Sequence, residues 1–104
     1  IILIITYNIY VAMKNYKLLK IRKKLDNLDN KFLSLIKKRT ILVNEVLKTK
    51  KYKKEIVDKR RIRTILSNIQ KKSKIKKIDP RITKSIWSTM IRAYIQYEFR
   101  NFKK

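Results

Sequence analysis

The sequence predicts an all-α chain of three helices: one long, one short, one of medium length. Apolar residues recur at helical spacing along most of the 104 residues. There is no Gly and a single Pro, Pro80, so tight turns, hairpins and phosphate-cradling loops have almost no material. Ile, Leu, Lys and Arg dominate, a mixture that suits helices better than sheets. The length leaves room for one domain.

The long helix comes first. From Leu18 the apolar positions are Leu18, Ile21, Leu25, Leu28, Phe32 and Leu35, then Leu42 and Val46. Spacings that alternate three and four mark one continuous helix with a coiled-coil-like seam. Arg39 fills the position between Leu35 and Leu42 that completes the pattern. The helix is expected from about Asn15 to Lys51, roughly 55 Å long at 1.5 Å per residue. A compact monomer of this size is only about 35 Å across. A helix that outruns its own domain packs against another chain, so a homodimer is expected.

Ahead of it, residues 1–12, IILIITYNIYVA, are uncharged and largely apolar. They are too short to span a bilayer unaided and lack the basic n-region of a signal peptide. The native start is expected at Met13, with residues 1–12 an upstream extension and residues 13–104 the domain. The competing reading of residues 1–12 is a membrane-contacting or anchoring segment. A cytoplasmic protein with no membrane partner is the expectation.

After the long helix, the basic stretch KKYKKEIV breaks the pattern. Asp58 offers a helix start, and Ile62, Ile65, Leu66 and Ile69 carry a second, shorter helix to about Ser73. The run KKSKIKK reads as a solvated linker. Asp79-Pro80 is a start signal, an Asp cap followed by Pro at the first helical position. The third helix is expected from Pro80 to about Phe102. Ile86, Met90, Tyr94 and Glu98 lie on one face at four-residue spacing, with Trp87, Ile91 and Ile95 beside it.

Thirty Lys and Arg against seven Asp and Glu give a net charge of +23. Such a field draws in anions, whether nucleic acid, acidic lipid or a small polycarboxylate. The absence of Cys and His removes disulfides, thiol nucleophiles, imidazole bases and any plausible zinc or haem site. The cations occur on every face, and no helix-turn-helix, zinc-finger or aromatic RNA-binding signature is present. A specific nucleic-acid partner is therefore not expected, although a basic helical nucleic-acid binder is the alternative from another functional class. A salt titration separates the two, since nonspecific binding collapses with ionic strength.

Three cations stand on or beside the apolar seam. Arg39 occupies a seam position, where a guanidinium has to be paired, solvated or bound to a ligand. Alone it reads as a register-setting polar residue in a coiled coil. Arg22 borders the same seam and Lys50 continues it four residues beyond Val46, so together they look like a pocket for an anion with several charged groups. Glu98 is the one acid of the third helix; alone it reads as an exposed residue near a fraying end. Asp58 alone reads as a helix cap.

The stretch LLKIRKKLDNLDNKFLSLIKKRTILVNEVLKTK resembles the long first helix of the helical chorismate mutases. Arg22, Leu28-Asp29, Arg39 and Lys50 stand at that family's spacing. Asp58 and Arg61, three residues apart, match a downstream pair, and Ile78-Asp79 and Trp87 fall in register. The resemblance runs from Leu18 to Glu98. It implies an intertwined helical homodimer that binds chorismate and rearranges it to prephenate, in aromatic amino acid biosynthesis from the shikimate pathway, without a cofactor. By the same resemblance, Arg39, Lys50 and Arg61 of one protomer and Arg22 of the other surround the substrate. The planar guanidinium fork suits its two carboxylates. Lys50 and Glu98 are implied to address the ether oxygen whose bond breaks, with Asp58, Ile62 and Tyr94 at the same pocket. Such a reaction needs only a substrate folded into its reactive shape and charge stabilised on that oxygen. A chain without His or Cys is equipped for this.

Three positions depart from the family's pattern. Ile62 stands where a Glu usually follows the Arg matched by Arg61, Tyr94 where a Ser is common, and Glu98 where a Gln is frequent. A Glu donates a hydrogen bond to an ether oxygen only when protonated, so activity favoured at acidic pH is expected. Ile62 and Tyr94 look more like the isochorismate pyruvate-lyases, a sister family on the same fold, whereas Asp58 and Glu98 look more like mutases. A lyase or an inactive relative is the alternative within the fold.

Overall fold

The computed structural model describes residues 1–103. In chain order it holds α1 (Ile2–Thr49), a 3-10 turn (Lys53–Glu55), α2 (Lys59–Ile75) and α3 (Pro80–Asn101), and there is no strand among the described residues. The all-α class and the long, short, medium order agree with the sequence. The chain divides into two units, Ile1–Thr40 and Ile41–Lys104, and the boundary falls inside α1.

In the first unit α1 begins at Ile2, well before the Asn15 expected from the seam. The physical reason is local. Residues 2–14 contain neither Gly nor Pro, so nothing stops the helix from propagating toward its N-terminus. The Thr6 hydroxyl donates to the Ile2 carbonyl at 2.8 Å and the Thr40 hydroxyl to the Ile36 carbonyl at 2.9 Å, so both bond within the helix. Val11, Arg39 and Thr40 are half-buried; the other side chains of the unit are exposed. The seam residues Leu25, Leu28, Phe32 and Leu35 are between 49 and 62% exposed.

The second unit contains the last turns of α1, then α2 packed against α3. Its buried hydrophobic residues are Leu47 and Ile56. Asp58 caps α2, its carboxylate accepting from the Arg61 backbone N–H at 2.9 Å. Ile62, Ile65, Leu66 and Ile69 are all half-buried along one side of α2, as their spacing requires.

The run KKSKIKK is not a linker. α2 continues through it to Ile75, and Ser73 in its middle is buried. The Ser73 hydroxyl lies 2.6 Å from the Ile69 carbonyl and 2.7 Å from the Thr83 hydroxyl of α3, which is itself 3.3 Å from the Pro80 carbonyl. The helix stops at a left-handed residue, Lys77 with φ 58°. The Ile78 N–H donates to the Ser73 carbonyl at 2.9 Å and the Lys77 N–H to the Lys74 carbonyl at 3.2 Å, the two bonds of a Schellman ending. Glycine usually supplies that conformation, and this chain has none.

Asp79 then starts α3 with Pro80 behind it. Its carboxylate accepts from the Arg81 backbone N–H at 2.9 Å and from the Arg81 guanidinium at 3.2 and 3.1 Å. The guanidinium bonds first, then the backbone bond, hold the Asp79 carboxyl below the ordinary Asp range. On α3, Trp87, Met90, Ile91, Tyr94 and Ile95 are half-buried and Glu98 is buried, whereas Ile86 stays exposed.

Candidate functional site

The site in the second unit is built where the end of α1 meets α3. Past Thr49, Lys50 keeps one more turn through its N–H to the Leu47 carbonyl at 3.1 Å. Glu55 then ties down the following segment: its carboxylate accepts from the backbone N–H groups of Lys51 at 2.6 Å and Tyr52 at 2.8 Å. The Tyr52 bond, then the Lys51 bond, hold the Glu55 carboxyl below the ordinary Glu range, aided by the charges of Lys54 and Lys50. Lys50 therefore projects from an anchored turn.

Its ammonium Nζ lies 3.3 Å from Glu98 Oε2, with side-chain exposures of 15% for Lys50 and 9% for Glu98. The exposed, fraying placement that Glu98 alone invites is thus overturned. Glu98 is among the most buried residues of the unit, because the α3 face that carries Met90 and Tyr94 carries it too. A further link joins the same elements, the Tyr97 hydroxyl donating to Asn44 Oδ1 at 2.9 Å. The Tyr94 and Tyr97 rings meet edge to face, centroids 6.3 Å apart.

An open cleft of about 620 Å³ lies alongside, lined by Lys50, Glu55, Val57, Asp58 and Lys59. An ammonium carries three donors and Glu98 takes one, so Lys50 has the capacity to direct others at a ligand oxygen. Half-burial strengthens any such bond over its value in water. Position, charge and donors are what the arrangement offers.

The structure brings Lys50 and Glu98 into contact and sets Lys50 and Asp58 on one cleft. Asp58 touches Arg61 through the backbone, as a cap, and the Arg61 side chain is exposed. Ile62 is half-buried on α2 and Tyr94 half-buried on α3. Arg22, exposed, and Arg39, half-buried, belong to the first unit. Glu55, Asn44 and Tyr97 were not singled out in the sequence. Glu55 had a faint signal, one acid in a basic run. The Asn44–Tyr97 pair is 53 residues apart and had none.

A family model described as chorismate mutase type II matches residues 21–99, most of the chain. The chain belongs to the chorismate mutase type II family. Every candidate site residue from Arg22 to Glu98 falls inside the matched segment, and residues 1–20 fall outside it. Comparison with curated proteins and with solved structures finds no match. The family resemblance read from Arg22, Arg39, Lys50 and the Asp58–Arg61 pair is therefore correct.

Proposed function

We propose that the chain is a chorismate mutase that rearranges chorismate to prephenate in a cationic pocket, with no covalent intermediate and no cofactor. The observation that carries the proposal is the Lys50–Glu98 pair: a cation anchored on one element and an acid buried on another, 48 residues apart in sequence, in contact inside the family-matched segment. Lys50 donates to the ether oxygen as its bond breaks. Glu98 holds the ammonium in place when ionised and donates to the same oxygen when protonated. Arg39 and Arg61 take the two carboxylates.

Arg22 reaches this pocket from a second copy of the chain. Arg39 follows it by seventeen positions on α1, roughly 25 Å at 1.5 Å per residue, more than a small dicarboxylate spans. A partner subunit running alongside brings the two arginines to one ligand. The exposed seam of Leu25, Leu28, Phe32 and Leu35 supports that pairing.

Purified protein incubated with chorismate, its products separated by chromatography, tests the reading. Prephenate is expected, and Arg39→Ala is expected to lower kcat/KM by about a hundredfold or more, the order of magnitude for a charged bond to a developing transition state. No turnover of chorismate sinks the mutase. Ile62 and Tyr94 favour one second reading, an isochorismate pyruvate-lyase, and the same assay with isochorismate decides it through release of pyruvate.

A further inference from the structure

The first turns of α1 have a composition unlike the rest of the chain. Residues 2–12 carry no charge, and Ile2, Leu3, Ile4, Ile5, Tyr7, Ile9 and Tyr10 are 52–84% exposed. At 100° per residue these side chains fall on all sides of the helix, whereas from Leu18 onward a main apolar seam is flanked by Lys, Arg and Asp on the other faces, with Leu19, Leu33 and Ile41 the apolar residues that stand off it. A partner helix covers one face; a helix apolar all round needs an apolar environment all round. The segment also precedes the family-matched residues, so membership of the family does not account for it.

Directly behind it, residues 13–24 carry six cations and no acid: Lys14, Lys17, Lys20, Arg22, Lys23 and Lys24. Tyr10 and Tyr16 sit at the junction, and the Lys20 ammonium lies 4.7 Å from the centre of the Tyr16 ring. An uncharged helical end, tyrosines at its base and a cationic collar form the sequence of environments met on entering a bilayer leaflet: acyl chains, interface, phosphate headgroups. No described helix is long and apolar enough to cross a membrane. Eleven residues rise roughly 17 Å, about one leaflet of a hydrocarbon core near 30 Å thick.

We propose that the N-terminal end of α1 inserts into one leaflet of an anionic membrane, residues 2–12 in the acyl region and the cations of residues 13–24 against the headgroup phosphates. Insertion, not adsorption, is the point to establish, since a chain of charge +23 collects on any anionic surface. The probe is the full chain carrying Tyr10→Trp, compared with the parent, whose one tryptophan is Trp87. The vesicles are phosphatidylcholine alone or mixed with phosphatidylglycerol, at low and high salt, with and without lipids brominated on the acyl chains.

Blue-shifted emission from the Tyr10→Trp chain with phosphatidylglycerol vesicles, quenched by the brominated lipids and retained at high salt, is the expected result. Ile4→Asp with Ile5→Asp is expected to weaken partitioning at least about tenfold with helix content by circular dichroism unchanged. Binding lost at high salt with no acyl quenching reduces the contact to adsorption and overturns the proposal. So does a blue shift that depends on protein concentration and not on lipid, which assigns the segment to a second copy of the chain.

Discussion

On the proposed reading, Glu98 is the residue on which the chemistry turns. As a carboxylate it accepts, and in the structure it accepts from Lys50. An ionised Glu98 steadies the ammonium but has no proton to offer a breaking C–O bond. A glutamine offers an N–H at every pH. Replacing Glu98 by Gln is therefore expected to raise prephenate formation at neutral pH, by about tenfold if one added hydrogen bond of ~1.4 kcal/mol is realised in the transition state. Prephenate formation rates of the parent and the variant at neutral pH decide it, and an unchanged or lowered rate in the variant would take the donor role away from position 98. The acid was visible in the sequence as the one carboxylate on an otherwise apolar α3 face, but its burial and its contact with Lys50 were not. Nothing local to position 98 encodes a partner 48 residues upstream; only the packing of α3 at the end of α1 does.

At the scale of elements, starts were more legible than stops. Asp58 and Asp79-Pro80 both begin helices where the sequence placed them, because a capping carboxylate is a local signal that survives any tertiary context. The end of α2 was misread because its stop is written without glycine. Lys77 adopts φ 58° to close the Schellman bonds, and a string of lysines around it looks like solvated linker. A side chain with a Cβ pays for that conformation. Lys77→Gly is expected to stabilise the fold by about 0.5–1 kcal/mol, the relief of left-handed strain less the entropy gained by an unfolded glycine. Urea unfolding monitored by circular dichroism measures it. An unchanged or lowered midpoint would mean that the turn is not held in this geometry in solution. The α1 start was missed for the opposite reason: the seam begins at Leu18, yet helix formation needs no seam where no breaker intervenes.

At the scale of the molecule, what the chain buries alone is too little. Leu47 and Ile56 are the only hydrophobic residues buried among those described, while Leu25, Leu28, Phe32, Leu35, Leu42 and Val46 stay about half exposed or more. A domain of this length ordinarily removes well over half of its unfolded surface from water, and a run of uncovered leucines is the kind of surface that the proposed second copy would cover. The periodicity announced this seam directly, since alternating threes and fours have no use on a solvated helix. If the seam joins two copies, and if Arg22 crosses to the partner's site, the two inactive single variants should repair one another. In a mixed dimer of Arg22→Ala and Arg39→Ala chains, one site receives both substitutions. The other combines the intact Arg39 of the first chain with the intact Arg22 of the second. Random mixing of equal amounts makes half of the dimers mixed, and one of their two sites is whole, so about a quarter of the parental activity is expected from two proteins that are each inactive. Co-refolding the two and assaying prephenate formation reads this number. Activity that stays at the level of the separate variants would place Arg22 and Arg39 in the same site of one chain, or Arg22 in no site at all, and a sedimentation measurement on the mixture would tell whether the dimer itself had formed.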